Sequence, residues 1–295
     1  MKLDLATFFL QWATGGLLFA WVTTRRREVG LGYGWLLRII YGVFAVGAAA
    51  LFAARGTDEH ATANTLAMIA SIGVALAAGT ALTVSIVRRG AGVRGQEAIR
   101  ARRRARVAAM VAGDGNEAAG ATGAGDDATA REFPPALDLV AAVVGGLGLL
   151  PAASIAGGPY ALALARLVAG GAFLGAVSDA MLLGHWYLVQ PGLRRDPLRE
   201  LVLWNALLWP FEVAVFLWPT GMVQVLTGTS DDGYGGLLGW VWVVSAVTTI
   251  GLVAVTWLAL RERSYSAVMA ATGLLYLAIL TAFGTDLVAR AVLAP

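Results

Sequence analysis

Eight apolar runs, near residues 5–24, 35–54, 65–87, 137–157, 161–189, 201–218, 237–260 and 265–284, dominate the sequence. About 20 apolar residues at 1.5 Å rise per residue cross a hydrocarbon core of about 30 Å as a helix. The expected fold is therefore all-α: a polytopic integral membrane helix bundle of about eight transmembrane helices. The chain is 58% hydrophobic and only 14% charged, well below the roughly 25% charged residues of a soluble domain.

Charge placement gives the expected orientation. If the eight runs alternate in direction, every basic residue except Lys2, Arg55, Arg166 and Arg290 falls on one side. The positive-inside rule assigns that side to the cytoplasm and both termini to the outside, as in a multi-pass protein of a bacterial cytoplasmic membrane. The first run is followed by Arg25, Arg26 and Arg27 and shows no small-residue cleavage site, so it reads as a retained span. Nearly all the basic residues are arginine. Together with the Ala and Gly richness this reads as coding bias, and nucleic acid is not an expected partner.

Residues 88–136 separate helices one to three (1–87) from helices four to eight (137–295). Residues 88–113 are basic and suit a helix lying on anionic lipid. The Gly, Ala and acidic residues that follow suit a disordered linker. Partner membrane or cytoplasmic subunits are an alternative use of the segment. No repeat is visible in the sequence.

An ionisable group inside hydrocarbon is costly enough to mark function. Asp179 and Glu212 both lie within apolar runs, at about 16 and 19 Å from the inner ends of helices five and six. His185 and Asn205 form a second matching level. Asn205, Trp209, Glu212 and Phe216 share a stripe of helix six, with Pro210 expected to kink it. Arg166 is expected at the outer interface, snorkelling to water. Without a cation nearby, at least one of two close carboxylates has to carry a proton. Asp179 and Glu212 are thus the candidate proton-transfer residues.

His185, Trp186 and Tyr187, with Asn205 and Trp209, offer donors, acceptors and flat apolar surface for a quinone headgroup. Haem is disfavoured, because the only histidines, His60 and His185, fall on opposite sides of the membrane. The chain has no cysteine, which removes disulfides and thiolate metal sites, and Asp231–Asp232 is a weak metal signal. Small residues from Gly170 to Ala176 favour a central position for helix five. No standard nucleotide, protease or hydrolase motif is present.

In helix count, though in no motif, the layout resembles quinol-interacting membrane subunits of bacterial oxidoreductases. That resemblance implies a redox-associated, quinone-interacting subunit with an intramembrane proton path. The alternatives are a proton- or cation-coupled transporter and a non-catalytic anchor or assembly protein.

Overall fold

A computed structural model describes residues 4–55, 60–90, 133–190, 193–217, 221–262 and 264–293, with Val93, Glu97 and Ala101. Most of the expected linker at 88–136 lies outside the described residues. Eight long apolar helices are present: α1 (Leu5–Thr24), α2 (Leu31–Ala53), α3 (Ala61–Val87), α4 (Ala136–Ile155), α5 (Tyr160–Val189), α6 (Asp196–Leu217), α8 (Leu237–Ala259) and α9 (Tyr265–Val292). A single turn, α7 (Met222–Leu226), lies between α6 and α8. Among the described residues there is no strand, and the protein is a polytopic helical bundle.

The ends of the helices follow from local chemistry. Asp4 caps α1 by accepting from the backbone N–H of Ala6 and Thr7 at 3.3 and 3.0 Å, as an N-cap carboxylate does. Arg55, just past α2, pairs with the same carboxylate. Gly157 and Gly158 adopt positive φ between α4 and α5, a backbone that stops a helix without a Cβ penalty. The end of the bundle where α1 starts and α9 stops is called the upper end below. The opposite, lower end carries the arginine-rich turns.

Helix packing divides the bundle into two units with the same neighbour order. In the first, α1 packs on α2, α2 on α3, α3 on α4 and α4 back on α1. In the second, α5 packs on α6, α6 on α8, α8 on α9 and α9 back on α5. Each unit contains four spans, so both start at the upper end, as in parallel repeats related by an axis along the membrane normal. The sequence shows no trace of this order, because neighbour geometry is kept here without residue similarity.

The leading helices α1 and α5 join the two units. At their crossing a Cβ on Gly15 would overlap the backbone of Gly171, and one on Gly175 would overlap Gly15. Glycine lets the two backbones touch, which is how membrane helices associate where hydrophobicity offers no drive. The expected central position of helix five is thereby observed. The outward faces of the bundle carry Val43, Val46, Leu66, Ile69, Leu76, Val247 and Leu280, an apolar surface suited to lipid.

At the lower end α1 is tied to α6 through Arg25 and Glu200. Arg38 of α2 forms a two-pronged ion pair with Asp138 of α4, Nε to Oδ1 and Nη2 to Oδ2, both at 2.7 Å. Thr24 Oγ1 donates to the same carboxylate at 3.1 Å.

Candidate functional site

Four helices each turn one polar side chain inward at a common level near the upper end. Gln11 lies six residues from the start of α1, and Arg166 six from the start of α5. Glu212 lies five residues from the end of α6, and Asp286 six from the end of α9. At 1.5 Å per residue, all four sit about 8–9 Å below the helix ends. Gln11, Glu212, Asp286 and Arg290 are each fully buried, and Arg166 is 5% exposed.

Arg290 organises the group. One turn beyond Asp286 on α9, its Nε donates to Asp286 Oδ2 at 2.7 Å, and its Nη2 donates to Gln11 Oε1. The Glu212 carboxyl faces Asp286 and Arg290 from α6. Phe8 lies beneath the guanidinium, with its ring centroid 5.9 Å from Cζ. Arg166 stands on the α5 side, close enough to Arg290 to repel it, and spends its Nε on the carbonyl of Val215 at 2.8 Å. Five atoms of the group have no hydrogen-bond partner: Gln11 Nε2, both Glu212 oxygens, Asp286 Oδ1 and Arg290 Nη1. Buried polar atoms are normally paired, so five such exceptions among four contiguous residues mark this site.

The absence of a side chain at Gly170 allows the packing. A Cβ there would stand 2.8 Å from both Asp286 Oδ1 and Gln11 Nε2. Above the group, Phe216, Met222, Val225, Trp242 and Ala289 form a separate apolar cluster, so α7 serves as part of its roof.

The sequence-derived candidates are dispersed. Glu212 is in this group, but Asp179 is not its partner. Asp179 lies nine residues from Gly170 on α5, half a turn around the helix and about 13 Å lower, and its Oδ1 accepts from Tyr41 Oη of α2 at 2.5 Å. The level expected to join Asp179 with Glu212 is therefore two separate places. Level differs as well as face: Asp179 lies about 15 Å from the lower end of α5 and Glu212 about 24 Å from that of α6, which starts at Asp196.

His185 and Asn205 do not meet either. His185 is exposed on the bundle surface, with Nδ1 3.1 Å from Tyr276 Oη. Asn205 is buried and donates to its own helix, to Leu201 O at 2.9 Å. Trp186 Nε1 donates to Gln190 Oε1 at 3.2 Å beside the Tyr33 ring. Tyr187 donates to Arg194 O, and Trp209 Nε1 donates to Ala246 O of α8 at 2.9 Å. A cavity of about 210 Å³ lies between α1, α4 and α5, and one of about 50 Å³ lies at the lower end beside Arg38. None of these five residues lines either one.

Two expectations about cations are corrected. Arg166 does not snorkel to water but turns into the bundle. Glu212 also has a basic neighbour at its depth, because α9 runs eight residues past the apolar run that ended at 284 and carries Arg290 inside. The sequence signal available was the i, i+4 pair Asp286–Arg290, which the fall in hydropathy masked. Asp231 and Asp232 are engaged locally: Asp232 accepts from the N–H groups of Tyr234, Gly236, Leu238 and Gly239 at the start of α8. Among the described residues no group of three or more His, Cys, Asp or Glu could hold a metal ion. No family model matches the chain, and no match was found among curated proteins or solved structures.

Proposed function

We propose that this membrane protein handles protons at the Glu212–Asp286–Arg290–Gln11 group, as the binding step of proton-coupled transport. One observation carries the reading: two carboxyls face each other in a fully buried site, and only one of them is bonded to the guanidinium. A buried carboxylate with neither oxygen hydrogen-bonded is the costly form of that group. The proton is therefore assigned to Glu212, and Asp286 is the carboxyl bonded to Arg290. Two like groups this close share protons as a unit, so a proton can pass between them without either leaving the site.

Gly170 contributes by keeping α5 close against the group, and two nearby guanidiniums disfavour a metal cation. With the arginine-rich end facing the cytoplasm, the group sits in the outer half of the membrane. The redox reading gains no comparable support, since His185, Trp186, Tyr187, Asn205 and Trp209 each bond in a different direction.

A rapid pH jump applied to reconstituted protein on a solid-supported membrane tests the reading. It reports charge displaced by proton binding without requiring a known solute. The wild-type protein is expected to give a transient current that Glu212→Gln and Asp286→Asn each reduce at least tenfold. Transients of wild-type size in both variants would overturn it.

A further inference from the structure

Asp179 is the one acid of α5 and is fully buried, and among the described residues no basic side chain reaches it. Its Oδ1 accepts from Tyr41 Oη at 2.5 Å, and its Oδ2 has no partner. From α2, Tyr33 and Tyr41 are the titratable groups that act on its surroundings. From α1 come the Trp12–Ser178 hydrogen bond at 2.9 Å and the Thr23 hydroxyl beside Tyr33, and no charged side chain of α4, α6 or α9 contributes among the described residues. An uncompensated carboxylate at this depth is the arrangement that membrane proteins avoid unless it is used.

The surroundings of Asp179 differ in the two directions along the bundle. Toward the upper end, beyond the Ser178 hydroxyl and its bond from Trp12, the next turns of α5 present Phe173, Leu174 and Val177, all fully buried. Toward the lower end α5 presents the buried Ala180 and Leu183, and the polar groups brought in by α1 and α2 are hydroxyls. Tyr33 Oη donates to the Asp179 carbonyl at 3.0 Å and lies against the Thr23 hydroxyl, one residue from the end of α1. Tyr41 reaches Asp179 only because α1 has glycine where its ring passes. Any Cβ on Gly16 would overlap the Tyr41 ring. The approach of a tyrosine hydroxyl to a buried acid is thus built from three helices.

We infer that Asp179 and Tyr41 form a second proton-binding site, reached from the arginine-rich end along the hydroxyls of Tyr33 and Thr23 and separated from the Glu212–Asp286 site by an apolar plug. This rests on the proton-handling reading above and extends it to two stations on opposite faces of one helix. Loading is a proton transfer to Asp179 Oδ2 from water at the lower end. Tyr41 keeps its own proton and donates to Oδ1 throughout.

Infrared difference spectroscopy of the full-length protein in lipid, recorded between two pH values in H2O and again in D2O, tests the inference. The wild type is expected to show a deuterium-sensitive carboxylic-acid C=O band that Asp179→Asn removes and Glu212→Gln leaves in place. Tyr41→Phe and Gly16→Ala, which weaken or displace the tyrosine bond, are expected to shift that band to higher frequency without removing it. Thermal unfolding of each variant, with Asp179→Glu as a second acid-retaining variant, separates loss of the site from loss of the fold. A spectrum in which Asp179→Asn, folded like the wild type, removes no carboxylic-acid band would overturn the second site and leave the first intact. Conversely, a band assigned to Asp179 together with wild-type pH-jump currents in both Glu212→Gln and Asp286→Asn would sink the first site and leave the second.

Discussion

Each four-helix half holds a buried arginine–aspartate pair, between α2 and α4 in the first and within α9 in the second, and the two pairs are finished differently. In the first half Arg38 grips Asp138 with two parallel bonds of 2.7 Å, Thr24 adds a third, and Phe133 covers the guanidinium with its ring 4.2 Å from Cζ. In the second half Arg290 reaches Asp286 with a single prong. A second carboxyl crowds the pair, and five atoms around it are unpartnered. Two-pronged, fully bonded pairing is what a fixed structural joint requires. The incomplete pairing is poor for stability and leaves room for a proton to change places.

The contrast predicts its largest effect in the first half. Asp138→Ala leaves Arg38 buried and alone, and removing one partner of a buried pair costs about 3–5 kcal/mol. Thermal unfolding in detergent is expected to show that loss, and replacing both residues with apolar ones of similar volume should recover most of it. Glu212→Gln should unfold close to the wild type, since it replaces a neutral acid with a neutral amide. If it destabilises as strongly as Asp138→Ala, the two pairs are the same kind of object and the contrast fails.

The next effect is smaller and sits at the contact between α5 and the upper site. In Gly170→Ala the new methyl would stand 2.8 Å from Asp286 Oδ1 and Gln11 Nε2, too close for either to stay. Overpacking of this kind costs about 1–3 kcal/mol. The same variant is expected to lower the pH-jump current, because it displaces both groups that hold Arg290. Unchanged stability with an unchanged current would mean the site has more slack than its packing shows.

The parts of this arrangement visible in the sequence are those written into single helices. The eight spans are legible because each is a long apolar run, and Asp179 and Glu212 stand out as lone charges within such runs. Their partners are not legible. Tyr41 meets Asp179 across α1 through the gap at Gly16, a three-helix contact that no spacing along one segment encodes. Asp286 and Arg290 were hidden because they lower the hydropathy of the last run, which ends it early and puts Arg290 outside. Asp138 and Arg38 look like ordinary charges at membrane ends until the fold brings them together. The matching depths of Asp179 and Glu212 misled for two reasons. Helix α6 begins at Asp196, ahead of its apolar run, which lifts Glu212 to about 24 Å from its lower end against about 15 Å for Asp179. The face each residue takes also depends on which helices surround α5.

The smallest expected effect concerns a third acid, outside the spans, whose bonds are complete. Asp232 accepts from the backbone N–H groups of Gly236, Tyr234 and Leu238 at 2.8–2.9 Å and of Gly239 at 3.4 Å. Those bonds, with Gly236 the strongest contributor, hold its carboxyl below the usual carboxylate range. A carboxyl depressed in the folded state contributes stability that is present above its unfolded value of about 3.9. That contribution is lost as pH falls through the lower folded value. Amide hydrogen exchange at 234–239 is therefore expected to stay slow down to about pH 4 and to quicken below it, while the spans remain protected. Asp232→Asn should remove the pH dependence and leave the loop equally mobile on both sides of that range. If the loop loosens well above pH 4, its anchor is some other group, and complete bonding of a carboxylate is not what separates the fixed acids of this protein from the proton-handling ones.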